Sequence, residues 1–149
     1  MRIQLFEDGK APHLGRAGDA GYDCYSRVDV TVGAGETTRI PLGFGIYLRD
    51  GYEAEIRGRS GNSLKGLLVH TGTVDSNYTG EVWAIVTNLG KEPFVVKAGE
   101  RPAQMIILEC YTKTLYLGQT YDDVANSKAT QDYLLYETRG NSGFGSSGK

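Results

Sequence analysis

Twenty-one glycines cut this 149-residue chain into short pieces, and no longer element can be laid across them. They follow no period, which excludes a collagen-like rod. Most fall between short apolar runs, and a second cluster lies at the C-terminus. Residues 38–42 and 44–48 are predicted strands, followed by a turn at Arg49, Asp50 and Gly51. Residues 52–57 alternate aromatic or apolar with charged side chains, the period-two pattern of a half-buried strand. The continuous apolar run VWAIVT at 82–87 predicts a strand buried on both faces, and 94–96 and 105–111 predict two more. Connectors at 33–36, 88–92 and 98–101 carry the Gly and Asn chemistry of turns. Helix is expected only as single turns at 63–67 and 122–129. Many short strands with frequent turns predict an all-β sandwich or barrel.

The length suits one domain. A net charge of -2 gives no bulk attraction to nucleic acid or to an anionic membrane. A polyanionic ligand must therefore be held by a local arrangement of groups. No apolar run approaches the length that spans a bilayer. The N-terminal MRIQLFEDGK carries acidic residues where a signal peptide needs an apolar stretch. Two cysteines, Cys24 and Cys110, sit among apolar residues and are predicted to be buried thiols of a reducing compartment. An intracellular, cytoplasmic protein is the expectation.

Composition changes at residue 138. A domain over 1–137 is followed by TRGNSGFGSSGK at 138–149, rich in Gly and Ser. The plain account is a disordered tail. Yet Arg139 and Phe144 stand alone among small residues, and a mobile segment with one cation and one ring suits closure over a nucleotide.

Three segments have the residue types of a reactive site. In Arg59-Ser60-Gly61-Asn62-Ser63 a strand runs into hydroxyls and a glycine. Backbone N–H groups there suit phosphate oxygens, although a capped helix start explains the same residues. In Gly72-Thr73-Val74-Asp75-Ser76-Asn77-Tyr78-Thr79-Gly80 a hairpin is expected, with Asp75 near the end of one arm. Asp75 is either a turn carboxylate or a general base that deprotonates water, and Tyr78 is by default a hairpin aromatic. In Ala20-Gly21-Tyr22-Asp23-Cys24-Tyr25-Ser26 the Asp23 carboxylate either faces a metal-bound water or caps a turn.

Together these segments resemble the homotrimeric dUTPase family. AGYDCYS at 20–26, GRSGNSLKG at 58–66, GTVDSNYTGEV at 72–82, GERPAQMI at 99–106 and RGNSGFGSSG at 139–148 are similar to its five motifs, in the family's order. The resemblance implies a jelly-roll-like β-barrel or sandwich (the β-clip of dUTPases) with little helix and a mobile C-terminal arm. It implies hydrolysis of dUTP to dUMP and pyrophosphate, which limits uracil in DNA and supplies dUMP for dTMP synthesis. It also implies a homotrimer with three sites at subunit junctions. Each site would take the first, second and fourth motifs from one chain and the third from a neighbour, with the remaining chain's arm closing it.

The implied roles follow by position. Asp75 would activate the water that attacks the α-phosphorus. Asp23 would hold Mg²⁺ through metal-bound water. Arg59, Ser60 and Gly61 would contact the α- and β-phosphates, supported by Gln104. Backbone groups around Gly72 and Val74 would read the uracil edge, and Tyr78 would lie against the deoxyribose and exclude a 2′-hydroxyl. Phe144 would stack on uracil, while Arg139 and the amides of Gly145, Ser146 and Ser147 would hold the γ-phosphate. Neither nucleic acid nor membrane is an expected partner. Several positions depart from the family pattern: Gly58 in place of Pro, Asn62 and Ser63 in place of small apolar residues, Thr79, Trp83 and Pro102. Residues 115–133 are an added loop or, on the sharper reading, a protein-binding element. Rival readings are a dCTP deaminase relative, a nucleotide sensor or regulatory protein on the same scaffold, and a structural jelly-roll subunit. The deaminase lacks its Glu motif here, and the structural subunit would not need the arm.

Overall fold

A computed structural model describes residues 1–110 of the chain. The elements run β1 (Arg2–Leu5), β2 (His13–Leu14), β3 (Tyr22–Cys24), β4 (Val30–Val32), β5 (Thr37–Pro41), β6 (Phe44–Tyr47) and β7 (Tyr52–Gly58). There follow α1 (Ser60–Ser63), β8 (Leu67–Val69), β9 (Gly72–Val74), β10 (Trp83–Asn88), β11 (Phe94–Val96) and β12 (Ala103–Glu109). The predicted loop at 115–133, the helical turn at 122–129 and the arm at 138–149 lie outside the described residues.

The strands pair antiparallel in four sheets: β2-β3-β12-β7-β9, β5-β10-β8, β1-β6 and β11-β4. The longest ladder joins β7 to β12, from Gly58 opposite Ala103 to Tyr52 opposite Glu109. The predicted alternation sets its faces: Ala54 and Ile56 point inward, while Glu55 and Arg57 stay outside and pair with each other. Ala54, Ile56 and Met105 of the five-stranded sheet share one core with Ile40, Leu67, Val69, Ala84 and Val86 of the three-stranded sheet and with Phe44 of β6. The expected all-β architecture is thus present as a sandwich, and no closed barrel forms among the described residues.

Tertiary packing altered several local expectations. The apolar run at 82–87 is not buried on both faces: Ala84, Val86 and Asn88 are buried, whereas Ile85 on the other face is 36% exposed. A run of apolar residues shows only that neither face is costly to bury, and here one face has no covering layer among the described residues. The helical turn lies at Ser60–Ser63, not 63–67. Gly66 at φ +89° ends it, and Leu67 is then drawn into the core as the first residue of β8. Residues 72–80 do not fold as two arms of one sheet, because β9 pairs with β7 while β10 pairs with β5 and β8. Cys24 and Cys110 form no disulfide, as expected, but only Cys24 is fully buried.

Two polar devices fix the loops. Buried Asn88 donates to the carbonyls of Val32 and Glu92 and accepts the Gly90 N–H, which staples the predicted 88–92 turn to β4. At the N-terminal end, the Gly43 carbonyl accepts the Phe6 N–H at 3.0 Å. A Cβ on Gly9 would stand 1.8 Å from that carbonyl oxygen, so no side chain fits there.

Candidate active site

β3 and β12 pair with Asp23 opposite Gln104, and β12 places Gln104 opposite Arg57 of β7. This register brings the first, second and fourth motifs to one end of the five-stranded sheet. Asp23 is the anion of the cluster. Its Oδ1 forms an ion pair with Arg59 Nε at 2.7 Å, and its Oδ2 accepts from Arg101 Nη1 at 2.9 Å. Gln104 Nε2 donates to the Gly58 carbonyl at 2.8 Å. Room for that amide exists because Gly21 has no side chain: a Cβ there would lie 2.5 Å from Gln104 Oε1. Gly58 is the last residue of β7, opposite Ala103 in the ladder. Ser60 and Gly61 open the single helical turn, whose Arg59 cap is extended and makes no side-chain capping bond. Beside Asp23, burial and then the carboxylate's charge push the Cys24 thiol well above its ordinary range, so it is neutral and inert.

The third motif stands elsewhere. β9 ends at Val74, which pairs with Ala54 of β7 and is buried. The chain then turns, with the Tyr78 N–H donating to the Asp75 carbonyl at 3.1 Å. Tyr78 packs against the core, and its hydroxyl donates to the Glu81 carbonyl at 2.7 Å. Desolvation, and then the charge of Glu81, raise the Tyr78 phenol above its ordinary value, so it is a donor through the neutral range. The Glu81 carboxylate takes Arg27 at 2.7 and 3.2 Å and the Gly43 N–H at 2.9 Å. Trp83, opposite Pro41 and on the face away from buried Ala84, lies under the Arg39 guanidinium at 4.3 Å.

Asp23 and the Asp75 turn are not neighbours within the chain. The strand order β3-β12-β7-β9 puts three strand spacings between Asp23 and Val74, roughly 14 Å across the sheet at the usual spacing. Along the strands, the Asp23 row crosses β7 at Arg57 and the Val74 row crosses it at Ala54, which adds roughly 10 Å. Asp23, Arg59, Ser60, Gly61 and Gln104 are brought together. Gly72, Val74, Asp75 and Tyr78 are held at the far edge of the same sheet. Arg139, Phe144, Gly145, Ser146 and Ser147 lie outside the described residues.

Three residues of these two clusters received no role from the sequence. Arg101 sat in the quoted GERPAQMI stretch, and a cation after the Gly99 turn was its signal. Asn62 was noted only as a departure, yet its Nδ2 donates to the carbonyls of Arg101 and Pro102 at 2.9 and 3.2 Å. Glu81 was a lone carboxylate ahead of an apolar strand. Its partner Arg27 is 54 positions away, beyond the reach of any local pattern.

A family model described as dUTPase matches residues 7–148. A deoxyuridine 5'-triphosphate nucleotidohydrolase of Caldanaerobacter subterraneus is 46% identical over an alignment of 115 residues that covers 72% of this chain and 78% of the relative. The enzyme of that name from Rickettsia felis is 40% identical over 156 residues, covering 99% of this chain and 96% of the relative. Among solved structures, a dUTPase from Streptococcus mutans has a TM-score of 0.70 at 26% identity and covers 75% of this chain and 98% of that one. The dUTPase of phage phi11 of S. aureus has a TM-score of 0.77 at 22% identity, over 81% and 97% of the two chains. One form of the phi11 enzyme is described as coordinating a structural Mg(II) ion.

Proposed function

The chain belongs to the dUTPase family, and from that premise we propose how it hydrolyses dUTP to dUMP and pyrophosphate. One observation carries the reading of the site: Asp23 on β3 and Val74, which leads into the Asp75 turn, are three strands apart across one sheet and offset along it. Within one chain the Asp75 turn therefore does not face the Asp23 carboxylate. That separation supports a homotrimer in which the Asp23, Arg59, Ser60, Gly61 and Gln104 cluster of one chain faces the Asp75 turn of the next.

In this assembly Asp75 takes a proton from the water that attacks the α-phosphorus in line, and pyrophosphate leaves. Arg59, with the backbone N–H groups of Ser60 and Gly61, receives the phosphates. Gln104, seated between Gly21 and the Gly58 carbonyl, supports them. Uracil is read by the backbone around Gly72 and Val74. The position of β9 at the edge of its sheet among the described residues supports this, since an edge strand offers N–H and C=O groups to a ligand. Tyr78, held by Glu81, sets the sugar face, and Trp83 is turned away with Arg39. The arm brings Phe144 to the base, and Arg139 with Gly145, Ser146 and Ser147 to the γ-phosphate.

Asp23 is the carboxylate of the phosphate cluster, and no group of three His, Cys, Asp or Glu among the described residues could hold a metal by itself. One carboxylate and no cage fit an Mg²⁺ carried mainly by phosphate oxygens and reached through water. When bound, the ion would supply charge neutralisation on the triphosphate. No helix among the described residues is long and apolar enough to cross a membrane, and the free thiols of Cys24 and Cys110 support our assignment of the enzyme to a reducing compartment, the cytoplasm. Pyrophosphate release is to be measured side by side with dUTP, UTP, dCTP and dTTP. Turnover of dUTP alone is expected. Equal release from dCTP or UTP, or none from dUTP, would refute the reading.

A further inference from the structure

For a residue that must reach metal-bound water, Asp23 is heavily engaged. Both of its oxygens are taken by arginines, Oδ1 by Arg59 Nε at 2.7 Å and Oδ2 by Arg101 Nη1 at 2.9 Å, with Arg59 Nη2 a further 3.5 Å contact. The partners come from different elements: Arg59 follows β7 and Arg101 precedes β12. Asn62 ties the two together through its bonds to the carbonyls of Arg101 and Pro102, and Arg59 Nη1 reaches the Arg101 carbonyl at 3.4 Å. Pro102 is buried and its ring fixes φ. The backbone at Arg101 is therefore held, while its side chain is 49% exposed against 30% for Arg59 and 14% for Asp23. Arg101 is the partner that solvent and ligand reach first. Beside the bridge lies a cleft of about 340 Å³ lined by Arg59, Asn62, Lys65, Glu100 and Arg101. Arg59, Lys65 and Arg101 outnumber Glu100 and the bridged Asp23, and this net positive charge suits a polyphosphate.

A dication approaching this carboxylate alone meets two guanidiniums and is repelled. A metal that arrives on a triphosphate brings compensating charge with it. We propose that the Arg59–Asp23–Arg101 bridge is an exchange latch: the Asp23 carboxylate leaves Arg101 for the water shell of a phosphate-borne Mg²⁺. The latch makes the site accept the metal–nucleotide complex in preference to either component. It rests on the dUTP reading above. Arg101 is thus a positioning residue acting through Asp23.

The probe is dUpNHpp, a dUTP analogue that is not hydrolysed, with its dissociation constant measured by calorimetry in Mg²⁺ and in EDTA. In Arg101→Gln, the metal-free triphosphate faces a less neutralised Asp23 and binds more weakly, whereas the magnesium complex has one bridge fewer to break. The ratio of Kd in EDTA to Kd in Mg²⁺ should rise about ten-fold, as for loss of one charge-assisted contact. Arg101→Lys keeps the charge and should hold the ratio near wild type. If Arg101 merely keeps Asp23 oriented in every state, the same Arg101→Gln change lowers the ratio, and that result overturns the latch. A crystal structure of the wild-type complex needs no variant to fold. There, Asp23 and Arg101 should stand more than about 4 Å apart, beyond ion-pair reach, and a retained bridge overturns the proposal. Failure of the wild type to bind dUpNHpp in either condition removes the dUTP reading, and the latch with it.

Discussion

Arg27 and Glu81 meet as a fork across 54 positions of sequence, with Arg27 Nε and Nη2 donating to the two carboxylate oxygens at 2.7 and 3.2 Å. The same carboxylate accepts the Gly43 N–H, and the Glu81 carbonyl holds the Tyr78 hydroxyl. One residue thus joins the third motif to the loop that closes over the N-terminal strand. Glu81→Gln should cost about 1–2 kcal/mol, the range for hydrogen bonds to charged groups reduced for partial exposure. Thermal melting checks it, and an unchanged melting temperature would show that the fork adds nothing.

Tyr78 is pinned at its hydroxyl while its ring packs on the core. Tyr78→Ala should narrow the ratio of dUTP to UTP turnover. Tyr78→Phe keeps the ring, loses one hydrogen bond and should cost about 1 kcal/mol, with the ratio nearly retained. Discrimination unaffected by Tyr78→Ala would remove the residue from sugar selection.

Asp75→Asn should leave dUpNHpp binding intact and lower turnover by about 10²-fold or more, in line with loss of a general base. Steady-state kinetics paired with binding measures both. Near-normal kcat in this variant would assign the base elsewhere.

Light scattering should report about three times the 16.2 kDa chain mass. A chain stopped after residue 137, lacking Arg139 and Phe144, should melt like the full chain yet lose turnover. Mixing it with Asp75→Asn chains should restore some activity, because certain mixed sites combine a whole arm with a whole base. A fully active monomer, or no recovery after verified subunit exchange, would contradict a site built from several chains.

Cys24 is fully buried and its thiol is pushed up, mainly by burial. In the unfolded chain the thiol ionises at its ordinary value, about 9. The folded state binds the proton more tightly above that pH, so its advantage is intact below about pH 9 and shrinks as pH rises further. Urea midpoints should fall more steeply between pH 8 and 10 for the wild type than for Cys24→Ala. Parallel slopes would show that Cys24 does not govern alkaline stability.

The alternation at 52–57 set a strand face directly, because period two needs no knowledge of a partner, and β7 spans Tyr52–Gly58 with Ala54 and Ile56 inward. The run at 94–96 was equally legible as β11. The five motifs also pointed to the family, because binding phosphate and activating water demand particular residue types close together in sequence. Short strands such as β2, β3 and β4 have too few residues to show a period. Burial of Ile85 could not be read from VWAIVT, since an apolar residue is silent about whether anything covers it. The fork of Arg27 on Glu81, the double clamp of Arg59 and Arg101 on Asp23, and the distance between Asp23 and the Asp75 turn were decided by tertiary structure alone. The physical reason is register. Local sequence fixes which residues alternate, but only the pairing of strands far apart in the chain fixes which charges meet.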